Sequence, residues 1–171
     1  MIFGITGWSG SGKTSLIERL LPELAKRGFI VAVLKHAHHS FEIDQEGKDS
    51  WRLRQAGCRQ MAISSSRRWA LLHEIAADEE EADVFALCGR FDSCCNLILV
   101  EGYKNAPLPK LEVWRQTTAA KPLAFDNPHI VAVATDSDVP PPLPCPLLPL
   151  NDTGVVADFI AARAAKEVRT E

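Results

Sequence analysis

The sequence predicts a three-layer α/β fold with a mainly parallel sheet and an inserted β-hairpin, and three observations carry that expectation. The chain opens as strand, glycine-rich turn, helix, strand. Short apolar runs then recur between segments of helical pattern, as parallel βαβ units require. Two five-residue runs at 60–64 and 69–73 meet at a serine-rich turn, 64–67, which reads as a hairpin.

Residues 2–6 form an apolar run that stops at Gly7, hence a first strand. A helix over 13–27 follows, with Leu16, Ile17, Leu20, Leu21 and Leu24 on one face and Gly28 placed to close its end. Pro22 interrupts it. Residues 29–34 are a second buried strand, and a right-handed parallel crossover joins the two. The stretch 35–49 is polar and aperiodic, a loop, with a short helix over 50–56 beyond it. A helix over 79–87 is expected after the hairpin, its acidic start suited to the positive end of the helix dipole. Strands follow over 96–100, 111–115 and 130–135. Six prolines in 139–149 forbid a helix or a central strand there. Asn151, Asp152 and Thr153 can cap a last helix whose apolar face is Val155, Val156, Phe159 and Ile160.

At 171 residues, 46% hydrophobic and 24% charged, the chain reads as one globular domain over 1–171. A net charge of −3 gives no electrostatic case for a nucleic-acid or membrane partner. Five cysteines at 58, 88, 94, 95 and 145 include no C-x-x-C pair. That pattern, with no basic leader and no apolar run near about 20 residues, leads us to expect a cytoplasmic protein.

The strongest chemical signal is Gly7-Trp8-Ser9-Gly10-Ser11-Gly12-Lys13-Thr14, which satisfies G-x-x-x-x-G-K-[ST] between a strand and a helix. Glycines let backbone N–H groups converge on phosphate oxygens. The helix mouth adds unpaired donors and a positive dipole end. Lys13 can then reach the β- and γ-phosphates, and the Thr14 hydroxyl can ligate Mg²⁺. The candidate phosphate-binding set is Gly7, Ser9, Gly10, Ser11, Gly12, Lys13, Thr14 and Ser15. A glycine turn that merely precedes a helix is the alternative, and the agreement of motif with context favours phosphate binding.

Glu101 ends the strand 96–100, where a metal-directed carboxylate stands in P-loop proteins, although Asp is usual there; a solvated strand-end residue is the plainer reading. Asp44, Lys48 and Asp49 follow the second strand and could approach the γ-phosphate or its metal, or could belong to a charged mobile loop. Lys13, Asp44 and Glu101 are thus the candidate catalytic groups, and Thr14 with Glu101 the candidate metal pair. Asp136 ends a late strand and could recognise a base, or cap a turn, with no N-K-x-D tetrad around it. His36, His38 and His39 are spaced for Zn²⁺ or Ni²⁺ but lack an evident completing ligand.

The segments G-W-S-G-S-G-K-T at 7–14, L-K-H-A-H-H at 34–39, D-Q-E-G-K-D-S at 44–50 and V-E-G-Y-K at 100–104, followed by A-T-D at 134–136 and L-N-D at 150–152, resemble in order those of the molybdopterin-guanine dinucleotide biosynthesis adaptor family, MobB. The resemblance covers nearly the whole chain. It implies a homodimer that binds GTP with Mg²⁺, hydrolyses it weakly at most, and assists the guanylyltransferase MobA, with molybdopterin-dependent apo-enzymes as further partners. It puts the phosphate site on Gly10, Gly12, Lys13 and Thr14, with Glu101 near the metal. Two other functions compete: a nucleotide-dependent metallochaperone, through the three histidines, and a small-molecule kinase. For the kinase no lid-like arginine cluster is evident, since Arg52, Arg54, Arg59, Arg67 and Arg68 read as ordinary surface residues.

Overall fold

A six-stranded parallel sheet organises the larger of two compact units, Met1–His36 with Val84–Glu171; the smaller unit is Ala37–Asp83. The computed structural model describes residues 1–37, 41–118, 120–137 and 142–167. In the larger unit the strands are β1 (Ile2–Thr6), β2 (Val31–Lys35), β5 (Leu97–Glu101), β6 (Lys110–Trp114), β7 (Ile130–Thr135) and β8 (Leu147–Pro149), in the order β2-β5-β1-β6-β7-β8. The smaller unit holds β3 (Gln60–Ser64) and β4 (Trp69–His73), paired antiparallel with Ser64 opposite Trp69, after the helix α2 (Asp49–Gln55). The hairpin strands have the bounds read from the two five-residue runs.

Helix α1 (Lys13–Lys26) and the last helix, α4 (Thr153–Glu167), bury one face of the sheet. Leu16, Ile17, Leu20 and Leu24 of α1 and Val156, Ala157 and Ile160 of α4 pack on Phe3, Ile5, Leu97, Leu99, Leu111 and Val113. Complete burial of so many branched side chains, each worth about 2 kcal/mol, is the main stabilising term of this unit. Gly28 closes α1 at φ 83°: its N–H donates to the Ala25 carbonyl and that of Phe29 to Leu24, the paired bonds of a left-handed C-terminal cap. The Asp152 carboxylate accepts the Val155 N–H at 3.1 Å and so caps α4. Val155 itself is exposed, and Ala157 takes the inward place expected of it.

The other face is covered by shorter pieces. Helix α3 (Val84–Cys88) sets Val84 and Cys88 against Val100 and Leu108. A 3-10 turn at Leu123–Phe125 brings Ala124 to Trp114 and Val133. One expectation needs correction. The helix expected over 79–87 starts only at Val84. Five carboxylates crowd positions 78–83, and like charges one turn apart destabilise a helix. Glu79 instead bonds Arg59 at 2.6 Å and the Ala76 N–H at 3.2 Å. The proline-rich stretch also yields β8, which pairs only with β7, the edge position that a proline-containing strand tolerates. No helix among the described residues is long and apolar enough to cross a membrane.

Candidate functional site

Parallel strands end together, so the residues at their C-terminal ends share one edge of the sheet. Here Thr6, Lys35, Glu101, Arg115 and Asp136 lie at or just past the ends of β1, β2, β5, β6 and β7. The loop 7–12 rises from β1 at the centre of that edge. Its shape needs glycine at two places. Gly7 has φ 143°, and a Cβ there would stand 2.4 Å from the Val113 carbonyl oxygen. Gly12 has φ 94° at the mouth of α1. Ser9 and Gly10 form the exposed rim, with nothing within 4 Å of a Cβ at Gly10, whereas Ser11 is buried.

Lys13 folds back over the loop: its Nζ donates to the carbonyls of Gly7 at 3.1 Å and Trp8 at 2.9 Å. Burial holds its ammonium below the usual lysine range; Glu101 acts in the opposite sense, and Lys104 and Lys35 add to the lowering. An arriving phosphate would relieve that crowding of like charge. The Thr14 hydroxyl donates to the Glu101 carboxylate, 3.0 and 3.2 Å from its two oxygens. Glu101 is buried, with Lys35 Nζ 3.8 Å away. Thr14 and Glu101 thus put a hydroxyl and a carboxylate side by side, the hard oxygen donors that Mg²⁺ takes. Ser15, exposed on the first turn of α1, lends its carbonyl to Arg19 Nε at 3.3 Å.

The residues fit a polyphosphate and its metal. The loop rim is open, and the buried hydroxyl of Ser11 has no hydrogen-bond partner among the described residues. Three charged side chains act on the Lys13 ammonium, Glu101, Lys104 and Lys35, two of them cationic. Lys104 stands 4.4 Å over the Trp8 ring, whose Nε1 donates to the Lys121 carbonyl at 3.0 Å. The segments 34–37 and 100–104, distant in sequence, meet here. The His36 and Tyr103 rings lie 4.6 Å apart, and a Cβ on Gly102 would stand 2.9 Å from that of His36. Tyr103 has φ 43°, a costly backbone for a residue with a side chain and one often found at functional sites.

Asp136 lies further along the edge, where its carboxylate accepts a hydrogen bond from Arg115 Nη1. Residues 135–137 and 147–151 line an open depression of about 350 Å³ there. Asp44, by contrast, belongs to the smaller unit and is taken by Arg54: Nη2 lies 2.6 Å from one oxygen and Nε 3.1 Å from the other, a bidentate pair that holds its carboxyl below the usual range. Arg54 also bonds Glu74 at 2.6 Å and pairs with Glu42. Arg54 is therefore no ordinary surface residue but the hub of that unit. Asp49 is exposed and lies 4.0 Å from Arg52, and Lys48 precedes α2. His38 and His39 lie outside the described residues, among which no group of three His, Cys, Asp or Glu side chains could hold a metal. Sequence reasoning missed Arg115, although a charged residue just past a strand is the same signal that marked Glu101.

Comparison with known proteins fits this geometry. The family model described as molybdopterin guanine dinucleotide synthesis protein B matches residues 2–136. The chain is 42% identical over 160 residues to the molybdopterin-guanine dinucleotide biosynthesis adapter protein of Haemophilus influenzae, covering 93% of this chain and 86% of that one. It is 41% identical over 169 residues to the adapter protein of the same name from Escherichia coli strain K12, covering 97% and 94%. A crystal structure of molybdopterin-guanine biosynthesis protein B superposes with a TM-score of 0.74 at 27% identity, over 96% of this chain and 99% of that one. A MobB homologue from Bacillus stearothermophilus, at a TM-score of 0.68 and 23% identity, shares the fold.

Proposed function

The chain belongs to the molybdopterin guanine dinucleotide synthesis protein B family, and from that premise we propose that it is a GTP-binding adapter in the biosynthesis of molybdopterin guanine dinucleotide, acting with the guanylyltransferase MobA. The observation that carries the nucleotide half of this reading is the convergence of Lys13, Thr14 and Glu101 at the mouth of α1. Backbone amides of 9–15 and the Lys13 ammonium would hold the phosphates, and Thr14 with Glu101 would hold Mg²⁺. The metal, when bound, neutralises charge on the β- and γ-phosphates. The base would occupy the depression lined by 135–137 and 147–151, whose polar members include Ser137 and Asn151.

Turnover in this reading is slow. Glu101 serves the metal and Asp44 is paired with Arg54, so this reading assigns neither to orienting water. Asp44, paired with Arg54, then shapes the smaller unit. The homodimer has its support in the hairpin: Trp69 and Leu71 lie on one face of β4 and are 72% and 53% exposed, an apolar stripe suited to a second copy. We place the protein in the cytoplasm, where nucleotide and partner would meet.

Titration calorimetry with Mg²⁺ present tests the nucleotide reading: GTP should bind more tightly than ATP, and a preference for ATP would overturn it. Co-purification tests the partner. Tagged protein should retain MobA from the same organism, and failure to do so with both proteins folded would remove the partner from the reading.

A further inference from the structure

Arg115 is the cation that the phosphate-loop motif does not name, and it touches both halves of the site. It follows the last residue of β6. Its Nε donates to the Ser11 carbonyl at 3.0 Å, and its Nη1 donates to the Asp136 carboxylate. Its Nη2 and Nε lie 3.5 and 3.6 Å from where a Cβ on Gly12 would stand, so the guanidinium lies alongside the loop at its last glycine. The side chain is about one-third exposed, 32%, and is held from two directions.

The consequence follows from the geometry of one peptide. The Ser11 carbonyl and the Gly12 N–H belong to the same planar trans unit and point in opposite directions. Holding the carbonyl on Arg115 therefore aims the Gly12 amide away from Arg115. Gly12, at φ 94°, has the freedom to turn otherwise, so the orientation needs an external hold. The carboxylate of Asp136 supplies the other end of that hold, because a guanidinium paired to a carboxylate keeps a fixed plane.

We propose that Arg115 is a positioning residue that sets the amide of the phosphate loop at Gly12, and that Asp136 acts on the phosphates through Arg115 and not on the base. The inference rests on the triphosphate reading above. It makes Asp136, a residue at the edge of the base depression, a determinant of phosphate affinity common to every nucleotide.

Calorimetry with three probes, Mg²⁺-GTP, Mg²⁺-ATP and Mg²⁺-tripolyphosphate, tests it on the whole chain, with circular dichroism to verify folding. Arg115→Ala should weaken all three by roughly tenfold or more, the usual effect of losing a charge-assisted hydrogen bond. Arg115→Lys, which keeps the charge and loses the planar fork, should recover part of the loss. Asp136→Asn should weaken the three probes by one common factor, leaving the GTP-to-ATP ratio as in the wild type, and should add little to Arg115→Ala in the double variant. Tripolyphosphate bound by folded Arg115→Ala or Arg115→Lys within twofold of wild type overturns the inference alone. So does an Asp136→Asn variant that loses GTP selectivity while tripolyphosphate affinity stays unchanged. Wild-type protein that ignores tripolyphosphate and both nucleotides overturns the inference together with the reading beneath it.

Discussion

The phosphate-loop edge of the parallel sheet and the β3–β4 hairpin present opposite chemistry. At the edge, Lys13, Lys35, Lys104 and Arg115 stand around few carboxylates, and the polar groups point at one another or at the loop. On the hairpin, Trp69, Leu71 and Ile63 face solvent, and Arg54 and Arg59 of that unit are paired internally, with Asp44 and Glu79 among their partners. The difference teaches that the two regions have different missing partners. A surplus of positive charge on rigid backbone calls for an anion, whereas an uncovered apolar stripe calls for another protein surface. Substitutions in one region should therefore leave the function of the other intact.

The largest separation should come from Lys13→Ala. Losing the ammonium should cut GTP affinity on the order of a hundredfold, measured by calorimetry, and leave self-association in sedimentation experiments unchanged. Gly7→Ala should rank next. The new methyl would meet the Val113 carbonyl at 2.4 Å, so chemical denaturation should show a loss of about 2 kcal/mol. Gly10→Ala, in open space at φ 76°, should cost only about 1 kcal/mol.

On the hairpin, Trp69→Ser combined with Leu71→Ser should weaken self-association by roughly tenfold or more while GTP affinity stays within twofold of wild type. A variant that dimerises normally would remove the apolar stripe as the interface. The last prediction concerns Lys110 and is read against pH. It is completely buried, and its Nζ donates to the Leu108 carbonyl at 3.0 Å and also to that of Ala106. Burial lowers it from 10.5 to about 8, so the folded chain sheds this proton before the unfolded chain does. Stability relative to Lys110→Met should be flat below pH 8 and rise between about 8 and 10.5. A difference that falls over that window would contradict the assignment.

Much of this molecule is legible from local pattern. Strand periodicity, the glycine-lysine motif and the Gly28 stop are each decided within a few residues, and β1, α1, β3, β4 and β7 stand within a residue of where those signals put them. The features that escaped are decided by distant partners. β8 forms because β7 offers it an edge, which no property of a proline-rich stretch announces. Arg54 looks like any helix-surface arginine until Glu42, Asp44 and Glu74 close on it from two other segments. Arg115 gains its place from Ser11, 104 residues earlier, and from Asp136, 21 residues later. At the site, Lys13, Thr14 and Glu101 were legible because strand order in a parallel sheet brings strand ends together, so a charged residue at such an end is informative wherever it falls.

The most direct measurement is the Mg²⁺ dependence of GTP binding in wild-type protein and in Glu101→Gln, by calorimetry at fixed ionic strength. If Thr14 and Glu101 form the metal's protein ligands, Mg²⁺ should tighten GTP by about tenfold or more in the wild type, and Glu101→Gln should erase that gain. Equal GTP affinity with and without Mg²⁺ in the wild type, or a full Mg²⁺ gain in Glu101→Gln, would contradict it.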